Sequence, residues 1–131
     1  MGKRTNLVSA VETILRDTGL FRNIYKEPTD IEKERSFPVA WITVGPEVIQ
    51  EGEMTSSNYM RVVTLDITIG VKHKTVDTSM NDLVDTIFET MKTEYTLNGA
   101  AINLVPIEIM TDRGYFHPYA FASLIFKVWV R

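Results

Sequence analysis

The side chains best suited to chemistry in this chain are two histidines, six serines and a stripe of carboxylates. A histidine acts as a base or a metal ligand where a partner orients its ring. His73 stands between Lys72 and Lys74, and His117 lies in Gly114-Tyr115-Phe116-His117-Pro118. They are far apart in sequence, and neither has a carboxylate at metal-motif spacing. The serines are Ser9, Ser36, Ser56, Ser57, Ser79 and Ser123, and none sits in a Gly-x-Ser-x-Gly elbow. The seven glycines are scattered singly, so the sequence holds no Gly-rich loop to cradle a phosphate. Without cysteine there is no thiol nucleophile, no disulfide scaffold and no cysteine-held zinc or iron–sulfur site. These residues predict no catalytic centre, no metal site and no cofactor. A small enzyme working through Asp, Glu and His117 needs a concave pocket with convergent polar groups; the sequence offers no compact constellation for one.

Asp82, Asp85 and Glu89 follow at steps of three and four, which places them on one helical face. An acid–base pair needs one member desolvated and its pKa raised. Here the stripe occupies the polar side of an amphipathic segment and reads as a solvated face. A sharper expectation is that this stripe, or Glu51 and Glu53, faces a channel through which DNA passes. Negative walls repel phosphate and keep the polymer from sticking. Net charge is −3, from 14 Lys and Arg against 17 Asp and Glu, all of it carried by residues 75–131. Proteins that grip nucleic acid carry a basic surplus, whereas Lys3-Arg4 and Lys72/Lys74 are only local pairs.

The elements that must position these groups follow from hydrophobic periodicity. At 131 residues and 44% hydrophobic, the chain predicts one domain, residues 1–131, with a core that needs no staple. Leu7, Ala10, Val11, Ile14 and Leu15 share one helical face over Thr5–Thr18. Thr5 or Asn6 can cap its start, and Gly19 is a good stop. Leu20, Phe21, Ile24 and Tyr25 follow as a short extended piece beside the helix. Lys26–Ser36, with seven of eleven residues charged, reads as a solvated loop. Phe37-Pro38 turns the chain into a strand at Val39–Val44, which Gly45-Pro46 breaks or bulges before Glu47-Val48-Ile49. Gln50–Asn58 reads as a polar loop at the tip of a long hairpin.

Tyr59–Lys72 is the clearest strand. Arg61, Val63, Leu65, Ile67, Ile69 and Val71 form its core face; Val62, Thr64, Asp66, Thr68 and Gly70 form a mostly wet one. Asp77 or Ser79 can cap a second helix at Ser79–Tyr95, and Asn98-Gly99 ends that unit. Ile102–Arg113 is a strand whose Pro106 marks an edge or a bulge. Tyr119–Arg131 is a terminal strand with uniformly apolar even positions. The predicted fold is α+β: an antiparallel or mixed β-sheet with two amphipathic α-helices packed on one face, in the order α-β-β-α-β-β. The opposite face holds Phe121, Ile125 and Trp129, and apolar patches of that kind often mark protein–protein contact. No apolar run approaches the ~18 residues of a membrane span. The basic start gives way to an amphipathic segment carrying Glu12 and Arg16, unlike a signal peptide.

Together these features resemble the tail-terminator proteins of long-tailed bacteriophages. The likeness rests on the opening helix at Leu7–Leu15 and on Phe37-Pro38-Val39-Ala40-Trp41-Ile42 leading into the first strand. It rests also on the long strand Val62–Val71 after a polar hairpin loop, and on the helix Met80–Met91 leading to Thr96-Leu97-Asn98-Gly99-Ala100-Ala101. The closing strand Ala120–Arg131 completes it. The resemblance implies a structural virion protein, assembled in the host cytoplasm, that forms a homohexameric ring at the head-proximal end of the tail. Its partners would be copies of itself, the tail tube protein and a head-completion or neck protein, with genomic DNA crossing the lumen without specific binding. Gln50, Glu51, Gly52, Glu53 and Met54 of the hairpin loop, with Phe121, Ile125 and Trp129, are the expected subunit and partner contacts. Another phage neck, connector or tail-completion protein is the alternative, as is a non-phage adaptor that binds by adding a strand to its sheet edge.

Overall fold

The computed structural model describes residues 3–26, 37–51, 59–72, 80–111 and 119–130. The first helix, α1, runs Lys3–Asp17 and buries Leu7, Val11, Ile14 and Leu15. It begins two residues before the expected start, so Thr5 and Asn6 lie inside the helix and do not cap it. The cause is not local: the Arg4 guanidinium donates to the Val44 and Gly45 carbonyls at 2.8 and 3.1 Å, tying the first turn to a strand forty residues on. The far end stops as expected. Gly19 takes φ +70°, a left-handed turn that glycine enters without steric cost, and its N–H reaches the Arg16 carbonyl at 3.1 Å.

Past the turn, Asn23–Tyr25 forms β1, which pairs in parallel with Val39–Trp41. This corrects the expected order. The elements run α-β-β-β-α-β-β and the sheet is mixed. The remaining strands are β2 (Val39–Glu51), β3 (Tyr59–Lys72), β4 (Asn103–Thr111) and β5 (Tyr119–Val130), in spatial order β1-β2-β3-β5-β4. Apart from β1, all neighbours are antiparallel. Gly45-Pro46 does not break β2. The register shifts by one residue between Val44 and Glu47, and the strand continues to Glu51. A bulge absorbs the extra residue where proline cannot donate to the ladder. Pro106 is both at an edge and at a bulge, since β4 is the outermost strand and its register shifts between Pro106 and Glu108.

The second helix, α2, spans Met80–Thr93 and buries Leu83, Val84, Ile87 and Met91. Tyr95, expected on its apolar face, lies beyond its end and is half exposed. Leu97 and Asn98 then take positive φ in a short 3-10 turn, with Leu97 fully buried. Both helices cover the same face of the sheet, α1 over β1 and β2, α2 over β4 and β5. The core beneath them gathers Ile42 from β2, Leu65, Ile67 and Ile69 from β3, and Leu124, Phe126 and Val128 from β5. The alternation predicted for β3 and β5 therefore holds. The other face of β3 is drier than expected: Thr64, Asp66 and Thr68 are half-buried, and Val62 and Gly70 are buried.

Candidate functional site

The face turned away from the helices is built on β3 and β5. Across the ladder Gly70 stands opposite Phe121, Thr68 opposite Ser123, Asp66 opposite Ile125, Thr64 opposite Lys127 and Val62 opposite Trp129. At one end a second small core forms. Trp41 passes over Gly70 and is flanked by Tyr25, stacked at 6.4 Å between ring centroids, and by Phe121, tilted at 6.4 Å. Phe37 and Val39 complete it. Phe121, expected as a partner contact, is thus half-buried against its own chain's Trp41. Ile125 and Trp129 lie further along the same face and are half-buried.

At the middle of this face stands Asp66. The Thr68 hydroxyl donates to its Oδ1 at 3.1 Å and shares a second hydrogen bond of 3.1 Å with the Ser123 hydroxyl on β5. Burial pushes the Asp66 carboxyl above the usual carboxylate range, and the Thr68 and Ser123 hydroxyls pull it partly back. The group works as a cross-strand polar link that favours one register, worth roughly 0.2–1 kcal/mol. The sequence placed Asp66 on a wet face; the signal it carried was a lone carboxylate inside an otherwise apolar and β-branched strand.

The second surface is the outer edge of β4. Among the described residues no strand pairs there. Val105, Ile107, Ile109 and Met110 are each 40–50% exposed, and Glu108 is the strand's one charged side chain. Apolar residues at both odd and even positions were the available sign that this strand is not simply half in and half out.

A groove of about 430 Å³ opens at the opposite end of the sheet, between α1 and β2. Its lining includes Val8, Val44, Arg4 and Lys26, with Ile42 buried beneath. Lys26 also reaches Glu12 at 3.8 Å, and Arg16 reaches the same carboxylate at 3.3 Å. β1 covers β2 only at Val39–Trp41, so from Ile42 onward the outer side of β2 has no strand neighbour among the described residues.

Asp82, Asp85 and Glu89 are exposed together on α2, where the sequence placed them. Glu89 pairs with Lys92 at 3.8 Å, and the Lys92 ammonium sits 5.3 Å from the Phe88 ring centre. Asp85 and Glu89 border a shallow depression with Thr86, Thr90 and Glu94. Gln50 and Glu51 are not loop residues, as expected, but close β2 opposite Met60 and Tyr59. Extension of the hairpin ladder across the bulge draws them in. Gly52, Glu53 and Met54, like His73, His117 and residues 27–36, lie outside the described residues. Among the described residues no three His, Cys, Asp or Glu side chains gather as a metal site, and no helix is long and apolar enough to cross a membrane. No protein-family model matches the chain, and no curated protein matches it in sequence.

Proposed function

We propose that this chain is a structural subunit that assembles into a ring, expected as a hexamer, at the head-proximal end of a phage tail tube. One side of the ring would meet the last tail tube subunits and stop polymerisation. The other would meet a head-completion or neck protein. Genomic DNA would pass through the lumen, and the exposed Asp82, Asp85 and Glu89 suit a wall that phosphate does not adhere to.

The observation that carries this reading is the edge strand β4, which has no outer strand partner among the described residues and leaves Val105, Ile107, Ile109 and Met110 exposed. Long apolar edges are a liability in a monomer and are useful where another chain covers them. The half-covered Ile125 and Trp129 extend the same surface inward. The sequence resemblance to tail terminators supplies the identity of the assembly.

Light scattering on a sizing column, with negative-stain images of the main peak, tests it. The expected species has about six times the 15.0 kDa chain mass and shows a central hole. Added to purified tail tubes, it should cap one end only. A 15.0 kDa monomer that leaves tubes uncapped rejects the proposal.

A further inference from the structure

We propose that Asn98-Gly99 is a deamidation site that the fold holds closed and that opens when the turn carrying it comes apart. Of the six asparagines only Asn98 precedes a glycine, whose missing side chain leaves its backbone nitrogen unhindered. The chemistry needs water and no other reactant. The Gly99 nitrogen gives up its proton and attacks the carbonyl carbon of the Asn98 side chain. A C–N bond forms there, the bond from that carbon to the side-chain nitrogen breaks, and ammonia leaves. Water then opens the cyclic imide at either carbonyl. One opening yields aspartate. The other yields isoaspartate, in which the main chain runs through the former side chain.

Three features of the folded turn oppose the first step. Asn98 has ψ 31°, which holds the Gly99 nitrogen nearly opposite the Asn98 Cβ across the Cα–C bond; ring closure needs the two on the same side. The Gly99 N–H donates to the Thr96 carbonyl at 2.9 Å, which favours the protonated nitrogen over the nucleophilic one. The turn is also pinned at both ends. Leu97, Asn98 and Gly99 take φ +48°, +56° and +91°, a left-handed run that persists only where its surroundings over-determine it. Here the Leu97 side chain is fully buried in the main core and its N–H reaches the Glu94 carbonyl at 2.8 Å, while the Ile102 N–H reaches the Trp129 carbonyl at 2.7 Å. Asn98 and Gly99 are themselves exposed, so conformation and not burial protects them from water. The left-handed turn favours asparagine and glycine for their backbone freedom, and that same pair is the one most prone to imide formation. Aspartate at position 98 can keep the turn. Isoaspartate adds a main-chain carbon between Leu97 and Gly99 and cannot satisfy both anchors at once.

The test incubates the full chain in mildly alkaline buffer, folded and in guanidinium chloride, and follows each asparagine by peptide mass spectrometry. In guanidinium, Asn98 should react first and give both aspartyl and isoaspartyl peptides. In the folded chain its rate should fall about tenfold or more, because reaction waits on local opening of the turn. Leu97→Ala, shown to be folded by circular dichroism, should raise the folded-state rate and leave the rate in guanidinium unchanged. Asn98→Asp should fold with a native spectrum, while chains carrying isoaspartate should refold with a lower urea midpoint than Asn98→Asp. Equal rates in the folded and unfolded chain would overturn the proposal. So would another asparagine reacting ahead of Asn98 in guanidinium, or isoaspartyl chains as stable as Asn98→Asp.

Discussion

Gly70 is where one added methyl group tests the second core. A Cβ built on Gly70 would stand 2.9 Å from Trp41 Cζ3, 3.2 Å from Trp41 Cη2 and 3.2 Å from Val39 Cγ1. Ordinary contact begins near 3.4 Å, so the indole must retreat by about half an ångström. It has little room, since Trp41 is 6% exposed and Tyr25 and Phe121 flank it. Overpacking of this kind costs ~1–3 kcal/mol. Alanine recovers ~0.4–1 kcal/mol by restricting the unfolded chain. Gly70→Ala should therefore lose about 1–2 kcal/mol, or roughly 4–8 °C of melting temperature for a chain of this length. Gly45→Ala is the control: its Cβ would meet Thr64 atoms at 3.8 Å, which is ordinary contact, and should cost under ~0.5 kcal/mol. The assay is thermal and urea unfolding, with tryptophan emission read in a Trp129→Phe background so that Trp41 alone reports. Emission should shift to the red as the indole is pushed toward water. Trp41→Phe removes the two clashing indole atoms and leaves only the Val39 Cγ1 contact, so in that background the cost of Gly70→Ala should shrink. An equal cost in both backgrounds would refute the packing argument.

Further outcomes follow from other sites. Asp66 holds its proton more tightly folded than unfolded; stability therefore falls as pH rises from the ordinary carboxylate value of about 3.9 through the raised folded one, and stays lower above it. Asp66→Asn should thus be more stable than the natural chain at pH 7 and show little gain below about pH 3.9; urea midpoints at the two pH values decide, and a variant that is weaker at pH 7 contradicts the assignment. Phe126→Ala, at a side chain 1% exposed in the main core, should lose ~3–5 kcal/mol, while the exposed neighbour Lys127→Ala should stay within ~0.5 kcal/mol. Replacing Glu53 and Met54 together by alanine should leave the melting temperature within ~2 °C and cut head–tail joining about tenfold or more in complementation; normal titres would remove these two residues from the expected contacts.

What the sequence made legible was set by short-range pattern. β3 and β5 alternate strictly, so one wrong register would turn Leu65, Ile67 and Leu124 to the wrong face, and both strands could be read with their core faces. α2 was legible from Leu83, Val84, Ile87 and Met91. The misses came from contacts distant in sequence. Asn23–Tyr25 is a strand because Val39–Trp41 lies beside it, and three residues carry too little pattern to show that. The start of α1 depends on carbonyls at Val44 and Gly45. β2 passes through Gly45-Pro46 because β3 supplies a ladder that tolerates a bulge. Asp66 looked wet by alternation, yet Thr68, Ser123 and the aligned Ile125 half-bury it. The candidate contact face was visible through Phe121, Ile125 and Trp129, but that Phe121 serves its own chain's second core was not, because Trp41 reaches it across β3.

The two ends of the sheet are unlike, and that difference bears most directly on assembly. Monomers blunt long strand edges with charge, proline and bulges. β4 has the proline and the bulge at Pro106, yet it keeps Ile107, Ile109 and Met110 exposed and carries charge only at Glu108. An edge interrupted in this way resists the indefinite in-register stacking that a flat apolar strand invites. An edge kept apolar in this way still gains from being covered. At the other end, the outer side of β2 beyond Trp41 carries its own bulge and is bordered by Arg4 and Lys26. Two different edges, each irregular, would meet as a head-to-tail joint, whereas two like edges would meet as a two-fold one. A head-to-tail joint repeats from copy to copy, and a fixed rotation at each step turns that repetition into closure.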